Sequence, residues 1–190
     1  MRAFIAIELP EDILDALAEL QEKLKSSGAD IKWVAPENIH LTLKFLGEID
    51  DKQLAAIARI LEETGKNNTA FFIRLASLGV FPKADFPRVI WAGPGQGDEE
   101  SKKLAAILEQ ESAGIGIPRE KRPFSSHITI GRVRSLHNKD KLIQGLNNLE
   151  GYFPEKKLQF QVDRITLFKS TLTPKGPVYK VQKEASLKAA

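Results

Sequence analysis

The chain has 190 residues, of which 42% are hydrophobic and 28% are charged, and its formal net charge is +3. This composition is typical of a globular protein and excludes a disordered or membrane-embedded chain. The chain has no cysteine, which excludes disulfides, thiol nucleophiles and cysteine-ligated metal sites. The mild basic excess permits a polyanionic partner but does not require one.

The first residues predict a strand and not a leader peptide. Residues 3–9 are mostly apolar, Glu8 interrupts the run, and Pro10 ends it. No small-residue cleavage site follows. No apolar run in the chain approaches the roughly 20 residues of a membrane-spanning helix. We therefore expect a cytoplasmic protein without a membrane partner.

Helical and strand-like patterns alternate along the chain. Apolar residues at helical spacing predict four helices, and the second of them has Asp50 as its N-cap with Gln53 three residues on. Alternating or continuous apolar runs bounded by Pro and Gly turns predict the strands. The predicted helices lie between Glu11 and Gly28, from Asp50 to Gly65, and over 98–112 and 139–149, and the strands over 3–9, 31–35, 38–46, 70–78, 88–92, 125–133, 157–169 and 177–183.

Several adjacent strands are joined by connections too short for parallel crossovers, so we predict an α+β fold with largely antiparallel sheets and flanking helices. Each half of the sequence has a strand bearing a His-x-Thr motif and then a helix. This echo predicts a duplicated, two-lobed arrangement. Because no linker divides the chain, residues 1–190 are predicted to form a single domain of two intertwined lobes.

Two of the three histidines stand two residues before a threonine: His40 before Thr42, and His127 before Thr129. Residues two apart in a strand share a face. Each strand therefore presents an imidazole beside a hydroxyl on one face and apolar side chains on the other. If the two strands lie side by side, the four polar groups converge on one cleft.

This set of groups suits in-line displacement at phosphorus. One neutral imidazole can accept a proton from the attacking oxygen while the other, protonated, donates one to the leaving oxygen, and a pKa of about 6.5 populates both forms. Threonine hydroxyls can stabilise charge on the non-bridging oxygens. Two histidines without an acidic or thiolate partner make a poor zinc site, so we expect neither a metal nor a cofactor. A lone strand histidine is more often structural, and only the pair of motifs favours catalysis.

With these motifs, the chain resembles the two-histidine (2H) phosphoesterase superfamily, and within it the LigT-like RNA 2′,3′-cyclic phosphodiesterases, also called 2′-5′ RNA ligases. The resemblance runs nearly end to end, because segments outside the motifs share it. These segments are residues 2–10, 79–82, 87–92, 122–124 and 172–179, and residues 33–47 resemble the family's first motif region.

The resemblance implies a bilobal fold with pseudo-two-fold symmetry and an open cleft that holds both motifs. It implies hydrolysis of a 2′,3′-cyclic phosphate on RNA or a nucleotide to a 2′-phosphate, without a metal. It casts His40 as the proton donor and His127 as the acceptor, whereas the sequence itself treats the two motifs as equivalent. A monomer is the default expectation.

The resemblance also implies that Phe45 and Arg132, each five residues beyond a histidine, flank the nucleobase. Stacking of a base on an aromatic ring and a guanidinium is physically reasonable. Strict alternation opposes it, because an odd offset places both side chains on the apolar face. A bulge, for example at Gly131, has to redirect them. The alternatives are a core Phe45 and a salt-bridged Arg132.

Other interpretations of the same site stay open. They are 2′-5′ ligation of RNA, which is the reverse reaction, a different cyclic substrate such as ADP-ribose cyclic phosphate or a cyclic mononucleotide, and a non-catalytic RNA-binding module. Outside the motifs, His137 is predicted to be exposed and inert. Trp33 and Trp91 are predicted to be core residues.

Overall fold

A computed structural model describes all 190 residues. The chain alternates strands and helices much as the sequence predicts. In chain order the elements are β1 (Arg2–Glu8), α1 (Glu11–Lys25), β2 (Ile31–Trp33), a 3-10 turn (Pro36–Asn38), β3 (His40–Glu48), α2 (Asp51–Asn67), β4 (Phe71–Lys83), β5 (Phe86–Pro94), α3 (Asp98–Gly114), β6 (Ile128–Val133), α4 (Lys139–Asn148), α5 (Tyr152–Lys156), β7 (Gln159–Val162), β8 (Arg164–Thr173) and β9 (Gly176–Ser186).

The nine strands form one sheet in the order β7-β4-β5-β6-β3-β1-β8-β9, with β2 paired to β6 beside β3. All pairs of strands in the sheet are antiparallel, so the predicted α+β class is confirmed. From the centre outwards, the order β3-β1-β8-β9 on one side matches β6-β5-β4-β7 on the other. The two motif strands, β3 and β6, are equivalent by this pseudo-two-fold relation.

The helices interlock the two halves. Helix α1 follows β1 but packs against β6 and α4, whereas α3 follows β5 but packs against β3 and α2. Each half is therefore completed by a helix from the other. The predicted capping box begins α2: Asp50 Oδ1 accepts a hydrogen bond from the Gln53 amide at 2.7 Å, and the Gln53 side chain accepts one from the Asp50 amide at 3.3 Å.

The predicted strand over 157–169 is wrong in detail, because it is two strands that change partners. β7 pairs with β4 at one edge of the sheet, and β8 pairs with β1 near the other edge. Only Asp163 separates them, so the two edges of the sheet must approach each other. Periodicity predicts an extended chain but not the strand with which it pairs. Helix α5 was not predicted, and β6 begins at Ile128 and not at residue 125.

None of the helices combines the length and the apolar character that crossing a bilayer requires. The core lies between the helices and one face of the sheet, with residues such as Ile5, Leu41 and Ile130 fully buried. The opposite face is therefore available for polar groups.

One lysine, Lys44, points into this core from β3. Its side chain is 1% exposed, and its Nζ lies 2.7 Å from Glu109 Oε2 on α3 and donates to the Pro118 carbonyl at 3.0 Å. Partial burial raises the pKa of Glu109, but the hydrogen bonds from Lys44 and from the Glu120 amide outweigh it and hold the pKa below its ordinary value. This carboxylate therefore contributes stability above the unfolded-state pKa, and the contribution is lost as the pH falls through the folded-state pKa.

We expect Glu109→Gln to destabilise the protein more than Lys44→Met. The first leaves an ammonium buried without its counter-ion, which costs about 3–5 kcal/mol. The second leaves only a carboxylate that is 22% exposed and can reach water, so the loss should be about 1–2 kcal/mol. Urea unfolding at pH 7 measures both. Equal losses, or a larger loss for Lys44→Met, would contradict the assignment of a buried ion pair.

Candidate functional site

A cleft of about 400 Å³ lies over the centre of the sheet. Its volume is within the range of small-molecule sites. The structure brings together here every site residue predicted from the sequence: His40, Thr42, Phe45, His127, Thr129 and Arg132.

The pairing of β3 with β6 sets which side chains face the cleft. The two strands pair at a single position, Leu41 with Ile128, and both of these side chains are fully buried in the core. Because faces alternate along a strand, the residues on either side of each partner point the other way, into the cleft. One paired position thus places both motifs on the same surface.

The two imidazoles are held in the same way. Nδ1 of His40 lies 2.8 Å from the Asn38 carbonyl oxygen, and Nδ1 of His127 lies 2.8 Å from the Ser125 carbonyl oxygen. A carbonyl can only accept, so Nδ1 carries the proton in both rings. Nε2 is therefore the nitrogen that is free to exchange a proton in each motif.

Aromatic rings enclose His40. Phe4 stacks on it with centroids 4.8 Å apart, Tyr179 meets it edge-on at 5.4 Å, and Phe168 stacks on Phe4 from the far side. Burial among these rings lowers the pKa of His40 from 6.5 to about 4, against the opposing effect of the Asn38 carbonyl and with a further lowering from His127. His40 is thus neutral in the free protein at pH 7.

A second aromatic group lies beside His127. The Phe81 ring is 5.2 Å away and perpendicular to the imidazole, and Trp91 stacks on Phe81 at 5.1 Å. The prediction that Trp91 is a core residue is wrong, because Trp91 pairs with Thr129 across β5 and β6 and shares its face. Trp33, also predicted to be core, is half-buried, because it packs against the core and also lines the cleft.

Phe45 reaches the cleft because β3 has a bulge. Thr42 is opposite Ala6 and Lys44 is opposite Ile5, so Leu43 is an extra residue without a partner. The bulge turns Leu43 and Lys44 both towards the core, where both are buried, and returns Phe45 to the face of the motif. The Phe45 side chain is 56% exposed, which excludes the alternative of a core position.

Arg132 is redirected by an equivalent bulge in β6. Thr129 is opposite Trp91 and Gly131 is opposite Ile90, so Ile130 is the extra residue, one position before the site suggested by the sequence. The buried Gln21 on α1 supports this bulge, since its Nε2 donates to the Ile130 carbonyl at 2.8 Å. Arg132 lines the cleft and forms no ion pair, which excludes the alternative of a salt-bridged Arg132.

Two features of the sequence lie outside the site. His137 is exposed in a loop, as predicted, and its ring contacts the side chain of Asn138. The basic loop over 118–123, which contains Arg119, Lys121 and Arg122, does not line the cleft. No group of three or more histidine, aspartate or glutamate side chains is placed to ligate a metal. The cleft instead offers two imidazoles for acid–base chemistry and two threonine hydroxyls for hydrogen bonding.

A family model described as LigT like Phosphoesterase matches the chain twice, over residues 7–91 and 93–179. The chain belongs to this family. The double match follows the duplication that the His-x-Thr echo predicts and that the sheet order displays. In a LigT-like phosphoesterase the two motif strands are thus counterparts, one from each repeat.

Two relatives of this LigT-like phosphoesterase carry the name RNA 2′,3′-cyclic phosphodiesterase. The protein of Methanocaldococcus jannaschii is 37% identical over 97% of this chain and 99% of its own. The protein of Thermotoga maritima is 38% identical over 95% of this chain and 92% of its own.

Solved structures of other proteins have the same fold. A Thermus thermophilus protein superimposes with a TM-score of 0.82 at 29% identity, over 100% of this chain and 99% of its own. Escherichia coli LigT complexed with 3′-AMP superimposes with a TM-score of 0.77 at 25% identity, over 98% and 97%. The LigT-like architecture therefore extends over the whole chain.

Sequence reasoning missed the residues that hold the histidines in this LigT-like phosphoesterase. Asn38 is the clearest: its carbonyl accepts from His40, and its side-chain amide donates to the Pro177 carbonyl at 3.1 Å, which ties the β8–β9 hairpin to the motif. Ser125 has the equivalent carbonyl for His127, and the others are the aromatic residues Phe4, Phe81 and Tyr179. Their signal is weak, because an aromatic residue in a strand usually indicates a core position.

We expect His40 to titrate near pH 4 and to make stability fall on acidification. The unfolded state takes up this proton near pH 6.5 and the folded state only near 4, so the free energy of unfolding decreases between these values, by up to roughly 3 kcal/mol. Nuclear magnetic resonance titration and urea unfolding measure the two effects. His40→Asn should remove this part of the pH dependence. A His40 resonance that titrates at 6.5 would contradict the assigned burial.

We expect Gly79→Ala to disturb His127 and not His40. A Cβ atom at Gly79 would lie 2.3 Å from the Trp91 ring, so the Trp91–Phe81 stack must shift, at a cost of about 1–3 kcal/mol. The imidazole signals of His127 should move and those of His40 should not. The control is Gly114→Ala, where a Cβ atom meets nothing within 4 Å. Unshifted His127 signals in Gly79→Ala would overturn this account.

Proposed function

We propose that this protein hydrolyses 2′,3′-cyclic phosphate ends of RNA to 2′-phosphates, with His40 and His127 exchanging protons and without a metal. It does so as a monomer in the cytoplasm, folded as one domain over residues 1–190.

The observation that carries this proposal is the matched pair of imidazoles. Each has Nδ1 bonded to the carbonyl two residues before it and Nε2 free, and each stands beside a threonine in a cleft whose lining has no carboxylate. Two such groups, one accepting and one donating, are the minimum for acid–base catalysis of displacement at phosphorus. The absence of a third ligating side chain favours this over a metal-bound hydroxide.

The relatives supply the substrate class. Proteins 35–38% identical to this one over nearly their full length are named RNA 2′,3′-cyclic phosphodiesterase. Escherichia coli LigT has been solved with 3′-AMP, which supports a cleft that accepts a nucleotide. Phe45 and Arg132, exposed on the cleft face, are suited to stack on the base of the terminal nucleotide.

The reaction then balances without a co-reactant. Water attacks phosphorus and loses a proton to one imidazole, the bond from phosphorus to the 3′-oxygen breaks, and the other imidazole donates a proton to that oxygen. The Thr42 and Thr129 hydroxyls donate to the non-bridging oxygens, where charge accumulates. The product is a 2′-phosphomonoester with a free 3′-hydroxyl.

The resemblance to 2H enzymes gives His40 the role of proton donor, although burial keeps this ring neutral in the free protein. A phosphate anion close to an imidazole favours the protonated form and raises its pKa. We propose that His40 becomes protonated in this way when the substrate binds, while the less enclosed His127 accepts the proton of the attacking water.

We expect the purified protein to open a 2′,3′-cyclic phosphate in the presence of EDTA, with a bell-shaped dependence of kcat/KM on pH. His40→Ala or His127→Ala should each reduce turnover by about 10²–10⁴-fold, because each removes one proton transfer. Phosphorus NMR of the product distinguishes the 2′-phosphate from the 3′-phosphate.

His137→Ala is the matched control, since this third histidine is outside the cleft, and it should retain full activity. Turnover that is unchanged in either cleft variant, or that EDTA abolishes, would falsify the mechanism. Tight RNA binding without turnover would favour a binding module, and joining of RNA halves without ATP would show that the protein also works in the reverse direction.

The order of roles is tested within the same assay by a cyclic phosphate whose 3′ bridging oxygen is replaced by sulfur. A thiolate leaves without a proton, so the loss of the donor matters little with this substrate. His40→Ala should recover activity on it and His127→Ala should not. The reverse pattern would exchange the two roles and leave the reaction itself standing.

A further inference from the structure

We infer that Lys32 and Lys175 bind the phosphodiester links that precede the terminal nucleotide, so that the protein prefers an oligoribonucleotide to a cyclic mononucleotide. This inference rests on the proposed function, because it assigns the part of the substrate that lies beyond the reacting phosphate.

The first observation is a pair of like charges in the sheet. Lys32 on β2 is directly opposite Arg132 on β6, and both side chains line the cleft. Like charges at directly opposed positions in an antiparallel pair are destabilising. Neither side chain has a carboxylate partner in the protein, so an anion bound from outside would relieve the repulsion between them.

The second observation places another cation at the cleft from a different element. Lys175 is in the turn between β8 and β9, where the Thr173 hydroxyl donates to the Gly176 carbonyl at 2.7 Å. The Asn38 side chain fixes the same turn through the Pro177 carbonyl. The lysine is thus presented over the cleft from a braced turn, and it too has no ion pair.

The third observation is that the charge of the cleft lining is positive throughout. Lys32, Arg132 and Lys175 are its charged side chains other than the histidines, and no aspartate or glutamate is among them. Eight lysines elsewhere in the chain have carboxylate partners, namely Lys23, Lys25, Lys44, Lys66, Lys102, Lys139, Lys156 and Lys183. The cleft differs from those surroundings because its lining offers no carboxylate to its cations.

Three cations exceed what one terminal nucleotide requires. Its single cyclic phosphate carries one negative charge and is held by the two histidines and two threonines, and Arg132 serves the base. Two lysines then remain for anions further along the chain, and the phosphodiester links of RNA are such anions at regular spacing. A cyclic mononucleotide offers these lysines nothing to bind.

The test compares kcat/KM on a cyclic-phosphate-ended pentaribonucleotide with kcat/KM on the cyclic mononucleotide of the same terminal base. In the wild-type protein this ratio should exceed one and should fall steeply with added salt. Each of Lys32→Ala and Lys175→Ala should lower the ratio about tenfold, the value of one charge-assisted hydrogen bond. The double variant should lose most of the salt dependence.

Lys141→Ala on α4 removes the same charge from an exposed position outside the cleft and should leave the ratio as in the wild type. Equal losses on both substrates would place the lysines on the cyclic phosphate and overturn the inference, as would an unchanged ratio in the double variant. If the wild type opens neither substrate, the proposed function fails. If it opens both equally well, only this inference fails. Both lysines are exposed, so the variants should fold normally, which thermal unfolding verifies.

Discussion

The pleat of two central strands is the constraint on which the rest of the site depends. β3 and β6 meet at one buried pair of residues, Leu41 and Ile128, and alternation then gives each strand a core face and a cleft face. Alternation alone would bury Phe45 and Arg132. In each strand, the extra residue directly after the motif reverses the alternation, so that the core keeps its apolar residues and the cleft gains two more side chains.

The core and the cleft are therefore coupled through backbone positions and not only through side chains. The bulge of β6 is held by the buried Gln21 on α1, and the bulge of β3 turns Lys44 towards Glu109 on α3. Each of these helices belongs to the opposite repeat. The interlocked packing thus braces each motif strand with a polar contact from the other repeat, which explains why Gln21 and Lys44 are buried.

The two motifs are alike in their hydrogen bonds but differ in their surroundings. Both imidazoles are held by a carbonyl two residues before them, which sets the same tautomer. The rings around them differ: Phe4 and Tyr179 enclose His40, whereas Phe81 meets His127 from one side. The duplicated fold thus gives its two imidazoles the same hydrogen bond but different surroundings, and burial among the aromatic rings lowers the pKa of His40.

The sequence by itself determined the two His-x-Thr motifs, the antiparallel α+β class and the capping of α2, because these depend on spacing and on residues close together in the chain. It also left Phe45 and Arg132 undecided, since alternation and family resemblance disagreed. Only the tertiary structure decided where these two side chains point, because a bulge is defined by the strand that lies opposite. The strands opposite the two bulges, β1 and β5, are distant in sequence from β3 and β6. The same reason explains the errors. Trp91 was assigned to the core and β7–β8 to one strand, because apolar character does not show which face of a sheet is covered or which strand lies next to it.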